Sequence, residues 1–277
     1  FDKLVERNNA RQIGVAEFEK AVRGLIAESE ALLVEAGLPE ANAIHAQKLV
    51  ADGYGALAEY QNEFKAHLSF AERLGKYYAE RPGDYDGEKT KGFSVEQNVL
   101  LTTLLRKAEE RQQAGQYLPA VCYYEEVKRR FVDSDYAPFS LFRMSECYLA
   151  YDLPQNAQAC LGSVESQYPA SPWGLHLRRR QARHLQEQHK ASAAADEWLE
   201  LARLSHSSEE RSRCALIAAG ILSNADIYDR AEVVVRSVLE TNPAFSHRDV
   251  AEQLLALNRA ESLKKLAGPV IENVLDM

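Results

Sequence analysis

The sequence predicts an all-α protein: a helix-turn-helix repeat solenoid preceded by a long N-terminal helical hairpin. Two observations carry this. Apolar residues recur at helical spacing along most of the chain, and the stretch AGQYLPAVCYYEEV at 114–127 returns in outline every 37 residues, as YDLPQNAQACLGSV (151–164), QHKASAAADEWLEL (188–201) and ADIYDRAEVVVRSV (225–238). The seventh position is always alanine (Ala120, Ala157, Ala194, Ala231), the eleventh is large and apolar (Tyr124, Leu161, Trp198, Val235), and the last is branched aliphatic (Val127, Val164, Leu201, Val238). A fixed period of this kind belongs to stacked supersecondary units, each too small to bury its own apolar face alone.

The elements follow in order. From Val15, the positions Phe18, Val22, Ile26 and Leu33 keep helical spacing, and Gly37 with Pro39 ends the run. From Ala41 to about Tyr78, Val50, Tyr54, Leu57, Phe64, Leu68, Ala71 and Tyr78 predict one second helix of about 57 Å at 1.5 Å per residue, antiparallel to the first, with Gly53 and Gly55 marking a bend. These helices define an N-terminal hairpin over 1–79. The stretch ERPGDYDGEKTKGF has no periodicity and reads as a linker at 80–93, and Ser94 with Gln97 predicts a capping box that reopens helix.

Residues 94–245 then hold four repeats of two helices each. Small residues recur in each first helix at the same period (Ala108, Ser145, Ala182, Ala219), and serines recur where the next helix needs an N-cap (Ser134, Ser171, Ser208). Residues 246–277 are expected to form capping helices, since HRDVAEQLLALNRAESLKK supplies the polar outer face a repeat array needs at its end.

Over roughly residues 98–245 the chain resembles the tetratricopeptide repeat family. Ala108, Gly115, Tyr117, Ala120, Tyr124 and Val127 match its pattern in the first unit, and Ala219, Leu222, Tyr228, Ala231, Val235, Val238 and Pro243 in the fourth. In the second, Ser145, Tyr148, Ala157, Leu161, Val164 and Pro169 match, and in the third Ala182, Leu185, Ala194, Trp198 and Leu201. Each unit is three residues longer than the usual 34 of the family, and the glycine before the second helix is present only once. The cadence is also similar to the extended repeats of bacterial cell-envelope proteins, which implies a periplasmic or envelope location, with the cytoplasm as the alternative.

Composition narrows the function. The net charge is -8, with 12 Lys+Arg against 16 Asp+Glu in residues 1–92 and 21 against 25 beyond, so neither part resembles a general nucleic-acid binder. No apolar run is long enough for a membrane span, and the opening residue, Phe1, leaves the question of a leader open. No phosphate loop, dinucleotide fingerprint, HExxH or GxSxG motif occurs. The four cysteines lack metal spacing and fall on faces that carry apolar residues, so they read as core, with a Cys122–Cys147 disulfide left open. His184 and His189, five apart, read as exposed. No cofactor, metal or catalytic residue is expected.

One stretch departs from the acidic background: LHLRRRQARHLQEQHK (175–190) carries a local balance of +4. Its arginines either pair with acidic neighbours in adjacent repeats or face a partner. In the tetratricopeptide family the first helices line the groove, and the resemblance implies groove positions at Phe139, Phe142 and Glu146, then His176, Arg179 and Arg183. Two phenylalanines beside two arginines suit a peptide with an apolar side chain and a carboxylate, although both phenylalanines fit a core role equally well. The expected function is therefore a non-catalytic scaffold or adaptor that binds a protein or peptide partner, an acidic one included. A helical accessory or catalytic domain of an envelope enzyme is the alternative.

Overall fold

A computed structural model describes the backbone of residues 1–10, 13–87 and 89–275, and the side chains as far as residue 263. The described residues form α-helices joined by short loops, with no strand. The chain divides into two compact units, Phe1–Tyr151 and Asp152–Met277.

The first unit contains α1 (Asp2–Asn9), α2 (Val15–Val34), α3 (Glu40–Ala56), α4 (Tyr60–Glu80), α5 (Val95–Gln113), α6 (Tyr117–Arg130) and α7 (Tyr136–Ala150). From α2 onward each helix packs on the next in the chain, which is the arrangement of a helical-repeat solenoid. The short α1 lies ahead of the first predicted helix and was not expected. The second unit holds α8 (Pro154–Gln167), α9 (Trp173–Glu187), α10 (Ala191–Leu204), α11 (Ser208–Asn224), α12 (Tyr228–Thr241) and α13 (Arg248–Leu275), again packed in chain order. The expected capping segment is a single helix, and its side chains beyond residue 263 lie outside the described residues.

The periodic positions form the core. All four recurring alanines of the second helices and all four small residues of the first helices (Ala108, Ser145, Ala182, Ala219) are 0% exposed. Around them lie Tyr124, Leu161 and Val235, fully buried, and Trp198 at 5% exposure. Each such large side chain contributes about 1.5–3 kcal/mol by leaving water.

The turn inside each repeat explains the missing glycines. Gly115, Asp152, His189 and Asp226, spaced 37 apart, all take the left-handed backbone conformation, with φ of 72°, 60°, 57° and 60°. After Gly115, His189 and Asp226 the next amide donates back to the carbonyl five residues earlier: Gln116 to Arg111 (2.8 Å), Lys190 to Leu185 (2.9 Å) and Ile227 to Leu222 (2.9 Å). This is the helix-ending bond that satisfies an otherwise orphaned carbonyl. Glycine suits the position best, but aspartate and histidine enter this region more readily than most residues. The family resemblance therefore weakens in sequence at a place where the geometry persists.

The same turn corrects the N-terminal hairpin. The expected single helix over 41–78 is two helices, α3 and α4, which pack against each other. The break comes at Ala58, left-handed at φ 57°, where the Glu59 amide donates to the Tyr54 carbonyl at 2.9 Å. Gly53 and Gly55 both lie within α3, ahead of the break, where neighbours approach too closely for a side chain. A Cβ on Gly53 would come 2.7 Å from Ile26 Cγ1, and one on Gly55 would come 2.6 Å from Arg111 Nη2. Counted from its turn residue, the α3–α4 pair follows the repeat pattern: Ala51 takes the place of Ala108, and Phe70 that of Val127. The heptad-like spacing across 41–78 concealed a helical repeat.

Two smaller expectations change. The capping box is present, with Ser94 Oγ accepting from the Gln97 amide at 3.1 Å and Gln97 Oε1 accepting from the Ser94 amide at 2.9 Å. The other serines sit one residue off the caps: Ser134 and Ser171 accept from the amides two residues on, at Tyr136 and Trp173 (3.3 Å each), while Ser207, not Ser208, caps α11. Cys122 is exposed and carries a free thiol, so it is neither core nor joined to Cys147.

Candidate functional site

The six residues expected to face a partner fall in both units. On α7, Phe139 and Phe142 are half-buried, and Glu146 accepts from Arg143 at 2.8 Å. On α9, His176 and Arg183 are exposed, while Arg179 donates to Glu210 of α11 at 3.0 Å.

Much of the +4 stretch is answered by carboxylates. Arg178 bridges Glu165 on α8 and Glu197 on α10, the latter at 2.7 Å, and Arg180 stands 3.6 Å from Glu187. Burial pulls the Arg178 guanidinium towards its neutral form, but the two glutamates outweigh it and raise its pKa. Arg183 alone of these arginines forms no ion pair among the described residues.

Two clefts in the second unit were not foreseen. One, of about 690 Å³, opens between α8, α9 and α10; the other, of about 570 Å³, between α10, α11 and α12. They are the same feature one repeat apart. Glu165, Ser171, Gly174, Leu175, Arg178, Glu200 and Leu204 line the first, and the residues 37 further on (Ala202, Ser208, Arg211, Ser212, Ala215, Ser237 and Thr241) line the second. Arg203 borders both, held by Glu200 at 2.8 and 2.6 Å. The sequence did hold a signal for them: the periodic run of residues at helix ends, which core-directed pattern reading passes over.

A third arrangement is enclosed. In the first unit, Glu63 (α4) is 1% exposed, His67 (α4) 2% and Tyr123 (α6) 1%. From α5, Arg111 reaches Glu63 with Nε donating to Oε1 at 3.1 Å and Nη2 donating to the same oxygen. Its Nη1 donates to Gln116 at 2.6 Å, and the guanidinium lies 5.4 Å from the Tyr60 ring centre. His67 Nε2 stands 3.6 Å from Glu63 and 3.8 Å from Asp52 of α3, and Lys107 of α5 stands 3.7 Å from the same aspartate. These His67 separations are electrostatic contacts too long for hydrogen bonds. Both ring nitrogens of His67, Glu63 Oε2 and the Tyr123 hydroxyl are buried without a hydrogen-bond partner.

Burial pushes the Glu63 carboxyl up, yet His67 and Arg111 together outweigh it and hold it below the usual carboxylate value. Burial pushes the His67 imidazole down, assisted by the charge of Lys107 and opposed by Glu63 and Asp52. The Tyr123 phenol is pushed up by burial and by the Glu63 charge. The cluster thus brings a carboxylate, a guanidinium and an imidazole together away from solvent. Among the described residues no group of histidine, cysteine and carboxylate side chains is arranged to hold a metal ion, and no helix is long and apolar enough to cross a membrane.

Comparison with protein-family models and with curated proteins finds no match to this chain.

Proposed function

We propose that this chain is a non-catalytic protein-binding scaffold of tetratricopeptide type, which holds a segment of a partner against consecutive repeats. The observation that carries the reading is the pair of clefts set one 37-residue period apart and joined at Arg203. Concave sites with apolar floors and a few convergent polar groups are where binding surfaces concentrate. A repeated cleft suits an extended ligand that meets equivalent groups at successive repeats. The exposed face of α9, with His176 and Arg183, belongs to the same unit and offers the partner a further edge. The enzyme alternative has its best material in Glu63 and His67, but at 1% and 2% exposure they are closed to a substrate.

The test is affinity capture from an extract of the source organism, with photo-crosslinking groups placed at Ala170 and Val233, one beside each cleft. The reading expects one protein to crosslink from both positions and to be lost when both carry bulky uncharged substitutions. A partner that crosslinks from neither position overturns it.

A further inference from the structure

We infer that the cleft between α10, α11 and α12 takes an extended peptide segment bearing an aspartate or glutamate beside small aliphatic side chains, with Arg211 receiving the carboxylate. This deepens the scaffold reading and rests on it.

The repeat makes the two clefts equivalent places. The first cleft is electrically closed, because its two carboxylates, Glu165 and Glu200, bind its two arginines, Arg178 and Arg203. In the second cleft both carboxylate positions carry small residues, Ala202 and Ser237. The position of Gly174, where the first cleft has no side chain, carries Arg211. No carboxylate lines the second cleft, and Arg211 is exposed and without an ion pair among the described residues. In a chain of net charge -8, the second cleft thus keeps only the Arg203–Glu200 pair at its border and adds an unmatched cation. A carboxylate is the complement, and a guanidinium can receive it through two parallel hydrogen bonds.

The rest of the lining says what accompanies the carboxylate. The floor includes Leu199, Val234 and Val238, with Val233 68% exposed at the edge, so aliphatic side chains have surface to cover. Ser237 and Thr241 of α12 also line the cleft: the Ser237 hydroxyl can serve peptide amides and carbonyls, and the Thr241 hydroxyl, which donates to the Ser237 carbonyl at 2.7 Å, can still accept from an amide. A small anion would use Arg211 and leave this surface uncovered. A peptide uses both and continues past Arg203 into the neighbouring cleft.

The probes are short fluorescent peptides of aspartate, valine and leucine, and matched peptides with lysine in place of aspartate, titrated by anisotropy against the full chain. The aspartate peptides are expected to bind, the lysine peptides are not, and binding weakens as salt rises. Arg211→Glu should weaken the aspartate peptides by about tenfold or more, whereas Arg211→Lys retains part of the affinity. Because Arg211 is exposed, the melting temperature of both variants should match that of the wild type, which separates lost binding from lost fold. Equal binding of the two peptide sets, no binding of either, or an unchanged affinity in Arg211→Glu overturns the inference. The scaffold reading itself stands or falls on the crosslinking result, which does not depend on the sign of the partner's charge.

Discussion

Glu63 and Arg111 each occupy a repeat position that is apolar elsewhere, and they meet each other there, Arg111 Nε donating to Glu63 Oε1 at 3.1 Å. Glu63 stands five residues after its left-handed turn residue, where the four repeats place Ala120, Ala157, Ala194 and Ala231. Arg111 stands four residues before its turn residue, where Tyr54, Tyr148, Leu185 and Leu222 stand in the other helix pairs. Two departures from an apolar pattern thus compensate one another across the α4–α5 interface. Gly55 makes room for them, since a Cβ there would come 2.9 Å from Glu63 Oε1.

Removing one partner leaves the other buried without its counter-charge. Glu63→Ala should therefore lower the unfolding free energy by about 3 kcal/mol or more, although it restores the repeat's usual residue. The double variant Glu63→Ala with Arg111→Leu should lie within about 1 kcal/mol of the wild type or above it, because well-packed apolar residues often replace a buried pair without loss. Urea unfolding of the four proteins closes the cycle. A Glu63→Ala variant as stable as the wild type would show the pair to be structurally idle.

His67 gives the stability a pH dependence. Its pKa is held below the ordinary histidine value of 6.5 by burial and by Lys107, against the opposing charges of Glu63 and Asp52. The unfolded chain therefore binds a proton that the folded chain refuses, and stability falls as pH drops from about 6.5 towards the folded value. Below the ordinary glutamate value of 4.5, Glu63, whose pKa is also lowered, adds a second loss in the same direction. His67→Phe, which supplies a large apolar group at the repeat position that Tyr124 holds in the first repeat, should remove the first decline and shrink the second, because His67 also helps to hold the Glu63 pKa down. Denaturant midpoints measured across this range check both, and an identical slope in the variant assigns the decline to another group.

The fold was readable wherever a residue type repeats because packing demands it. The alanines at 120, 157, 194 and 231 and the aromatic or aliphatic residues four beyond them fixed the register, since a 0% exposed site between helices tolerates little else. The α3–α4 repeat was missed because its two most diagnostic positions hold Glu63 and His67, and because a left-handed alanine carries no sequence signal. The charged cluster was missed for a related reason. Asp52, Glu63, His67, Lys107 and Arg111 are scattered over sixty residues of chain, and only the packing of α3, α4 and α5 brings them together. The clefts lie at helix ends, where a few periodic residues such as Val164 and Val238 meet positions such as Gly174 and Arg211 that change from repeat to repeat.

The turn itself is testable. Gly115→Ala forces an L side chain into the left-handed region and should cost about 1 kcal/mol, whereas Ala58→Gly relieves the same strain and should be neutral or stabilising by a smaller amount. Opposite shifts in thermal midpoint are the expected result. Equal shifts of one sign would mean that the two turns are not equivalent.

Trp198 tests the register of the third repeat. It is 5% exposed within a cluster that includes Ala182, Leu201, Cys214 and Leu222, and its indole Nε1 donates to Gln186 Oε1 at 3.2 Å. Its cluster mates lie on α9, α10, α11 and α12, so its truncation empties a space shared by four helices. Trp198→Ala should cost about 3–5 kcal/mol, combining the lost transfer energy with the cavity left behind. Trp198→Phe keeps most of the volume and gives up the indole hydrogen bond, so its cost should be the smaller of the two. Thermal unfolding followed by circular dichroism measures both, and a Trp198→Ala midpoint equal to that of the wild type would remove this residue from the core and with it the 37-residue alignment of α9 and α10.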